Sequence, residues 1–551
     1  MEINRRQFLA MSGMAVQGSV LAGLGANAVL GAIGDVPTPS TTPWHQRIKR
    51  IGQLNFNERD PVELDVEEWA DYWASLKVDA VLVSVTGILA FYPTQVPFHR
   101  RSRFLGNKDL FGAASAAAKK RGIRVIARLS PDLNWGDATQ AHPEWFMRDA
   151  AGGFQPGAEV PELFNTCSFT TYFTEHVPAI MREVQASYDV DGLFTNAWPP
   201  FNLPVCYCDE CRKLAKPRSV EYWGQFTERV VSLWKLYDGI AKEKGPDNLF
   251  FGNMGGGIPT SPNMNRLSRT CQWFNCDNQG RGGEGNPIWG ASKQGRVATA
   301  VMRGGTVTNV MGAWSTNGTV RWRNVSKSRP EAEISMGQII ASGMTIWYHW
   351  VGAQNGLGED RRWQKTGKRY MDWLSRHDAH FERLRGVADI GVVMGQRSHI
   401  FYTPPGEGGM TQFIDGLYYA MVEGRFMFDF VHEDDLGPET IGRYSVLILP
   451  NIAWLSDAQC AQIRDFVAKG GSLMASFETA MFDEKGDRRE KPGLADLFGI
   501  DSVSAVEAPQ GDGFYARIES QHEILAGFDD TNWIPGGAYR LPVKAGGPLV
   551  L

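Results

Sequence analysis

The sequence has no large excess of either charge, few cysteines, and no long apolar run beyond its first thirty residues. Its 551 residues carry 56 Lys and Arg against 61 Asp and Glu, a formal net charge of −5. Without residues 1–28 the balance is 54 to 60, net −6. Such mild acidity argues against nucleic acid or an anionic membrane as partner. No later apolar stretch approaches the ~20 residues needed to span a bilayer. Short-period repeats are absent, and the low-complexity sequence is confined to VPTPSTTP at 36–43. There is no H-x-x-x-H pair to hold a catalytic metal, and nothing calls for an organic cofactor.

At 43% hydrophobic and 21% charged residues, the composition is that of a multidomain globular protein. It is rich in aromatics (18 Trp, 29 Phe, 15 Tyr), rings that fill cores and also stack on sugars. At the N-terminus Arg5-Arg6 precede Gln7-Phe8-Leu9, an apolar Gly/Ala-rich stretch runs from 11 to 24, and Ala26-Asn27-Ala28 offers a cleavage site. Residues 1–28 therefore read as a twin-arginine signal, with 29–44 as linker. That implies a periplasmic or secreted protein which folds before export.

From 45 to 386, short apolar segments alternate with amphipathic ones. Strands are expected at 51–56, 78–85, 123–130, 191–196, 248–254, 271–277, 306–312 and 344–350. Eight alternations predict an α/β fold of the (β/α)8 TIM-barrel type, with a doubly wound sheet as the alternative. A second unit is expected at 387–505. ADIGVVMG, YSVLILPN and GSLMASFE read as strands, and SDAQCAQIRDFVAKGG as a helix between the last two. It reads as a flavodoxin-like (class I amidotransferase-like) α/β domain without a Gly-x-Cys-x-Gly nucleophile turn. Residues 506–551 read as the start of a strand-rich segment that the sequence cuts short.

Cys206, Cys208 and Cys211 stand at C-x-C-x-x-C spacing in CYCDECRKLAK. With a fourth thiol this spacing suits structural zinc, and folding before export would let the site fill before it oxidises. Cys167, which follows the third strand, is the natural fourth ligand. Disulfides or free thiols are the alternative, although cysteines this close in sequence bridge poorly.

CYCDECRKLAK resembles the zinc-binding segment of family 42 β-galactosidases, whose first zinc cysteine lies about forty residues upstream, as Cys167 does here. FYPTQVPFHRRSRFLGNKDLFG, HPEWFMRDAAGG and DGLFTNAW resemble hypothetical glycosyl hydrolases similar to family 151 α-L-fucosidases. The resemblance implies a catalytic barrel, a trimerisation-like second domain and a homo-oligomer, trimer or dimer. It does not supply the catalytic acids. In the β-galactosidases the proton donor is a Glu after an Asn at the end of strand four, and here Asn196 is followed by Ala197. Their nucleophile lies near the end of strand seven, where this chain reads Val310-Met311-Gly312-Ala313-Trp314. In the fucosidases the nucleophile is an Asp where Asn196 stands.

The acids at the C-terminal ends of strands, where barrel active sites sit, are therefore the candidates. Asp277, ending strand six, is expected as nucleophile, and Asp132, after strand three, as proton donor. Asn196, His99, Arg100, His349, Glu162 and Glu284 are candidate sugar-binding residues, with Trp198 and Trp314 as stacking platforms. Each also has a structural reading, as turn residue, core hydrogen-bonding group or surface charge. The function expected is an exo-acting glycoside hydrolase releasing fucose- or galactose-configured sugars from a carbohydrate substrate. The alternative is a non-catalytic carbohydrate-binding relative that keeps the barrel.

Overall fold

The computed structural model describes residues 42–551 apart from 86–87, 158–159, 197–204, 254–261, 281–288, 318–319, 353–359, 382–383, 385, 406–408, 509–513, 521 and 547–551. The signal segment, most of the linker, Trp198 and Glu284 lie outside the described residues. Eight strands form one parallel sheet: β1 (Arg50–Asn55), β2 (Ala80–Ser84), β3 (Arg124–Leu129), β4 (Gly192–Thr195), β5 (Leu249–Gly252), β6 (Trp273–Asp277), β7 (Thr306–Gly312) and β8 (Thr345–Val351). Their order is β5-β4-β3-β2-β1-β8-β7-β6, so β5 and β6 face each other across the remaining joint. That joint carries a single bridge, Asn253 to Asn275, above a stack of Phe251 on Trp273 at 4.0 Å. The result is a nearly closed barrel, with a strand at each of the eight expected segments.

These segments form strands because both faces are buried, which favours continuous apolar runs over alternation. Every residue of β2 is buried. The helices between them show the complementary pattern. Asp65 caps the helix Val66–Ser75 by accepting from the amides of Glu67 and Glu68, and Trp69, Ala70 and Trp73 form its buried face. Gly52 in β1 admits Trp73, since a Cβ there would lie 3.0 Å from the indole.

The second sheet comprises β9 (Ile390–Met394), β10 (Phe428–His432), β11 (Val446–Leu449) and β12 (Ser472–Ala475). All its ladders are parallel, in the order β10-β9-β11-β12, the beginning of the flavodoxin-like order. β10 is absent from the sequence-based expectation. Its apolar residues continue from helix Thr411–Glu423 with only a short break, and a run of Phe and Val has no period that separates strand from buried helix. Helix Asp457–Ala468 opens with a full capping box between Ser456 and Gln459. Beyond it, Ile500–Val503 pairs antiparallel with Val543–Ala545, and Tyr515–Arg517 with Trp533–Pro535. No helix among the described residues is long and apolar enough to cross a membrane.

The second sheet docks on the barrel through β10. Arg296, on the barrel helix Gly290–Met302, donates to the Phe428 carbonyl at 2.8 Å and places its guanidinium 4.9 Å from the Phe428 ring. One hydrophobic cluster runs from the barrel into Val392, Met394, Tyr418, Phe428 and Phe430. Truncating Phe428 to Ala should cost about 3–5 kcal/mol. Because the core is shared, calorimetry should show one lowered transition for both sheets, and an unchanged barrel transition beside a separate weakened one would contradict this.

Candidate active site

Parallel pairing carries the inward parity from strand to strand around the barrel. Gln53 pairs with His349 and Leu82, Ser84 with Arg128, Arg128 with Phe194, and Phe194 with Phe251. Asn253 then bridges to Asn275, Asp277 pairs with Val310, and Gly312 with His349. Side chains alternate with period two, so the inward residue at the C-terminal end of each strand follows from this register. The inward pairs are Ile51 and Gln53, Leu82 and Ser84, Ile126 and Arg128, Phe194 and Asn196, Phe251 and Asn253, Asn275 and Asp277, Val310 and Gly312, and Trp347 and His349. In six strands an apolar residue is followed by a polar one at the mouth. The apolar members form the barrel floor, where Phe194, Phe251, Trp273 and Trp347 meet.

Asp277 is the acid of this polar ring. Its Oδ2 accepts from Asn253 Nδ2 at 3.1 Å and from Gln279 Nε2 at 3.0 Å. The Asn253 amide also donates to Asn196 Oδ1 at 3.1 Å, which joins Asn196 and Asp277 into one network. Burial pushes the Asp277 carboxyl above its usual pKa, while the two amides and the charges of Arg321 and Arg128 pull the other way. Arg128 is buried and lies within electrostatic range of both Asp132 and Asp277; burial lowers its pKa to about 10. His349 is held well below its usual pKa by burial, reinforced by Arg128 and Arg323, and is therefore neutral. Among the described residues, both His349 ring nitrogens, Arg128 Nε and Gln53 Oε1 are buried without a hydrogen-bond partner. Bound water or the polar groups of a ligand can complete the bonding of such buried atoms.

The structure thus gathers Asp277, Asn196 and His349 at the mouth, with Asp132 in electrostatic reach of Arg128. Other candidates lie elsewhere. Trp314 is fully buried, edge-on to His349 at 4.7 Å, so it is no open stacking platform: the chain folds it under the mouth hairpin. A Cβ on Gly312 would come within 2.9 Å of its ring. His99 is buried against Thr94 and Tyr92 beside a cavity of about 20 Å³, room for one water and not for a sugar. Burial takes its pKa to about 3. Arg100 is exposed at the rim of the same cavity, pairs with Asp137 at 3.2 Å and lies 4.2 Å from the Trp135 ring centroid. Glu162 is exposed, and its backbone carbonyl accepts from Gly136. The sequence reading passed over Arg128, Asn253, Gln53 and Gln279. For the first three the signal was present: a polar residue two positions after an inward apolar one, at a strand's end.

Cys167, Cys206, Cys208 and Cys211 converge in a separate buried cluster with Met147, their sulfurs all within 4.8 Å of one another. Cys167 Sγ lies 3.4 Å from Cys211 Sγ and 3.7 Å from Cys208 Sγ, and none is disulfide-bonded. Tetrahedral zinc, with Zn–S bonds of about 2.3 Å, holds its sulfurs about 3.8 Å apart. The donor set fits that ion. The four thiols titrate as one set, in which mutual hydrogen bonding lowers Cys206 and Cys208 and raises Cys167 and Cys211.

Comparison with known proteins accords with this architecture. Residues 65–197 match the family described as hypothetical glycosyl hydrolase 6, and residues 407–522 match the β-galactosidase trimerisation domain. A "Putative beta-glucuronidase" of Formosa agariphila is 25% identical over 140 residues, a quarter of this chain but only 11% of that protein's length. Among solved structures, α-L-fucosidase isoenzyme 2 from Paenibacillus thiaminolyticus superposes with a TM-score of 0.69 at 18% identity, covering 90% of this chain and 73% of the other. A β-galactosidase from Bacillus circulans sp. alkalophilus superposes with a TM-score of 0.73 at 13% identity, covering 90% and 81%. At these identities the likeness is one of fold. The chain therefore joins a barrel whose first half matches hypothetical glycosyl hydrolase 6 to a domain matching the β-galactosidase trimerisation family.

Proposed function

We propose that this protein is an exported, exo-acting glycoside hydrolase that releases terminal sugars of fucose or galactose configuration. The observation that carries the reading is Asp277, held by Asn253 and Gln279 in a ring of polar side chains at the C-terminal mouth of the barrel. The matched glycosyl hydrolase segment and the fucosidase and β-galactosidase folds support it.

In the proposed reaction the Asp277 carboxylate attacks the anomeric carbon while Asp132 protonates the departing glycosidic oxygen. Water then hydrolyses the glycosyl ester, giving its proton back to Asp132. Two amide donors on Oδ2 orient the nucleophile, and the raised basicity of a buried carboxylate strengthens it. On this reading Asn196, Asn253 and His349 bind sugar hydroxyls. The four-cysteine cluster is proposed to hold a structural zinc apart from the chemistry, and the second domain to mediate homo-oligomer formation.

Asp277→Asn should lower turnover on aryl α-L-fucosides or β-galactosides on the order of 10⁴-fold, with sugar binding retained. Asp132→Asn should harm natural substrates far more than aryl glycosides with good leaving groups. Near wild-type turnover in the Asp277 variant would refute the assignment.

The pH dependence follows from the same burial. A nucleophile must be ionised, so kcat/KM should fall on acidification at a higher pH than an ordinary Asp would give. A carboxyl whose pKa rises on folding stabilises the fold below its unfolded pKa and loses that contribution as pH climbs through the folded value. Asp277→Asn should accordingly raise the melting temperature at neutral pH, with the gain fading towards pH ~4. An unchanged melting temperature across that range would count against the buried charge.

Elemental analysis should find one zinc per chain. Cys208→Ser should lose it and lower the melting temperature by about 5 °C or more. A zinc-free native protein would overturn the metal site.

A further inference from the structure

We propose that the cavity beside His99 is a subsite for one hydroxyl group on the leaving-group side of the substrate, with His99 Nε2 as its acceptor. The proposal rests on the reading of Asp277 as nucleophile and Asp132 as proton donor, and adds what the leaving group carries.

The proton positions around His99 follow from its partners. Tyr92 Oη and Thr94 Oγ1 donate to Glu183 Oε2, on the helix Val177–Ser187, at 2.7 and 2.6 Å. A hydroxyl has one proton to give, so neither oxygen has a second for the imidazole. His99 Nδ1 lies 3.2 Å from Thr94 Oγ1 and 3.4 Å from Tyr92 Oη, and is therefore the donor there. Burial keeps the ring neutral, which leaves Nε2 a lone pair and no proton. The residue is 8% exposed, and Nε2 has no hydrogen-bond partner among the described residues. The two ring nitrogens point nearly opposite ways, so Nε2 faces away from Thr94 and Tyr92. Phe98, immediately before, is held at φ 59°, a left-handed conformation that side chains seldom adopt and that tends to persist at ligand sites.

His99 lines the cavity, and Arg100 is exposed at its rim, so the space is reached from outside. Its volume of about 20 Å³ holds one oxygen of the size of water, and a hydroxyl oxygen has that size. Phe98 and Leu133 offer apolar wall to the carbon of a short arm, and His99 offers the acceptor to its oxygen. An unprotonated nitrogen takes a hydrogen-bond donor and repels a carboxylate. An amide N–H brings an acyl group too large for the space. The ligand chemistry that fits is a neutral alcohol on a short arm, of the hydroxymethyl class.

The place of the cavity assigns it to the leaving group. Around the barrel β2 stands four strands from β6 in either direction, so the loop after β2 lies across the mouth from Asp277. The residues on either side of Asp132, namely Ser130, Pro131, Leu133 and Asn134, line the same cavity. Nucleophile and proton donor flank the scissile bond, and the departing group leaves on the donor's side. A hydroxyl arm on that group enters the cavity beside Asp132 while the rest of the group stays outside.

The test uses matched aryl glycosides on the full mature protein. The hydroxymethylphenyl and methoxymethylphenyl α-L-fucosides and β-D-galactosides are compared, with the substituent at each ring position. The two substituents differ in the O–H and hardly in their effect on leaving-group ability. For at least one position kcat/KM should be about 10-fold higher with the hydroxyl, the worth of one buried hydrogen bond. His99→Phe should bring that ratio close to one. Equal rates for every pair overturn the subsite and leave the hydrolase reading intact, and a preference retained in His99→Phe overturns the subsite as well. A crystal structure of the wild type with the uncleaved hydroxymethylphenyl thioglycoside decides the matter if the variant does not fold. The hydroxyl should lie within hydrogen-bond distance of His99 Nε2, and only water there overturns the proposal. If no aryl glycoside is turned over the hydrolase reading fails, and the same structure then upholds or overturns the hydroxyl site by itself.

Discussion

Each strand of a closed parallel barrel must turn every second side chain inward, and hydrogen bonding to its neighbours leaves no freedom to slip. A shift of one residue would exchange the inward and outward sets around the whole ring. Here that constraint stacks Phe194, Phe251, Trp273 and Trp347 into a floor and lifts Arg128, Asn196, Asn253, Asp277 and His349 together above it. The floor excludes water and lowers the local polarity, which raises the Asp277 pKa, lowers that of Arg128 and keeps His349 neutral. Packing and site electrostatics are thus two results of one register.

Much of the fold was legible from the sequence. Runs such as AVLVS and RVIARL cannot be anything but buried strands when helices with one apolar face separate them, so the eightfold alternation predicts the barrel. β10 escaped because FDFVH has no period that distinguishes it from the helix before it. The site was legible only in part. Asp277 stands out because a carboxylate ends an apolar run. Arg128 lies in a run equally apolar, yet an arginine near a strand's end reads as a surface residue until its neighbours fix which way it points. Trp314 shows the opposite error. An aromatic after a barrel strand reads as a sugar platform, but Gly312 two residues earlier leaves room for the ring to fold inward.

The four cysteines illustrate a different kind of legibility. C-x-C-x-x-C brings three thiols together by local geometry, since Cys208 closes on Cys206 through its own amide at 3.4 Å. The fourth thiol is brought in by tertiary structure. Cys167 arrives from the loop after β3, and its amide is held by the Trp145 carbonyl at 2.9 Å. The cluster therefore ties the long β3–β4 connection to the segment after β4. It stiffens the loops beside the mouth without contributing a group to it.

The β5–β6 joint has a mechanical consequence. Seven of the eight joints around the barrel are laced by ladders of backbone hydrogen bonds, whereas among the described residues this one shows one backbone bridge, a ring stack and a side-chain hydrogen bond. Widening it breaks little bonding, whereas opening any other joint would break a ladder. The hydrogen bond from Asn253 to Asp277 spans this same joint. The width of this joint therefore sets the reach of the amide that steadies the carboxylate. The sheet behaves as a split collar, with its gap aligned on the reacting group and its spring in the seven laced joints opposite.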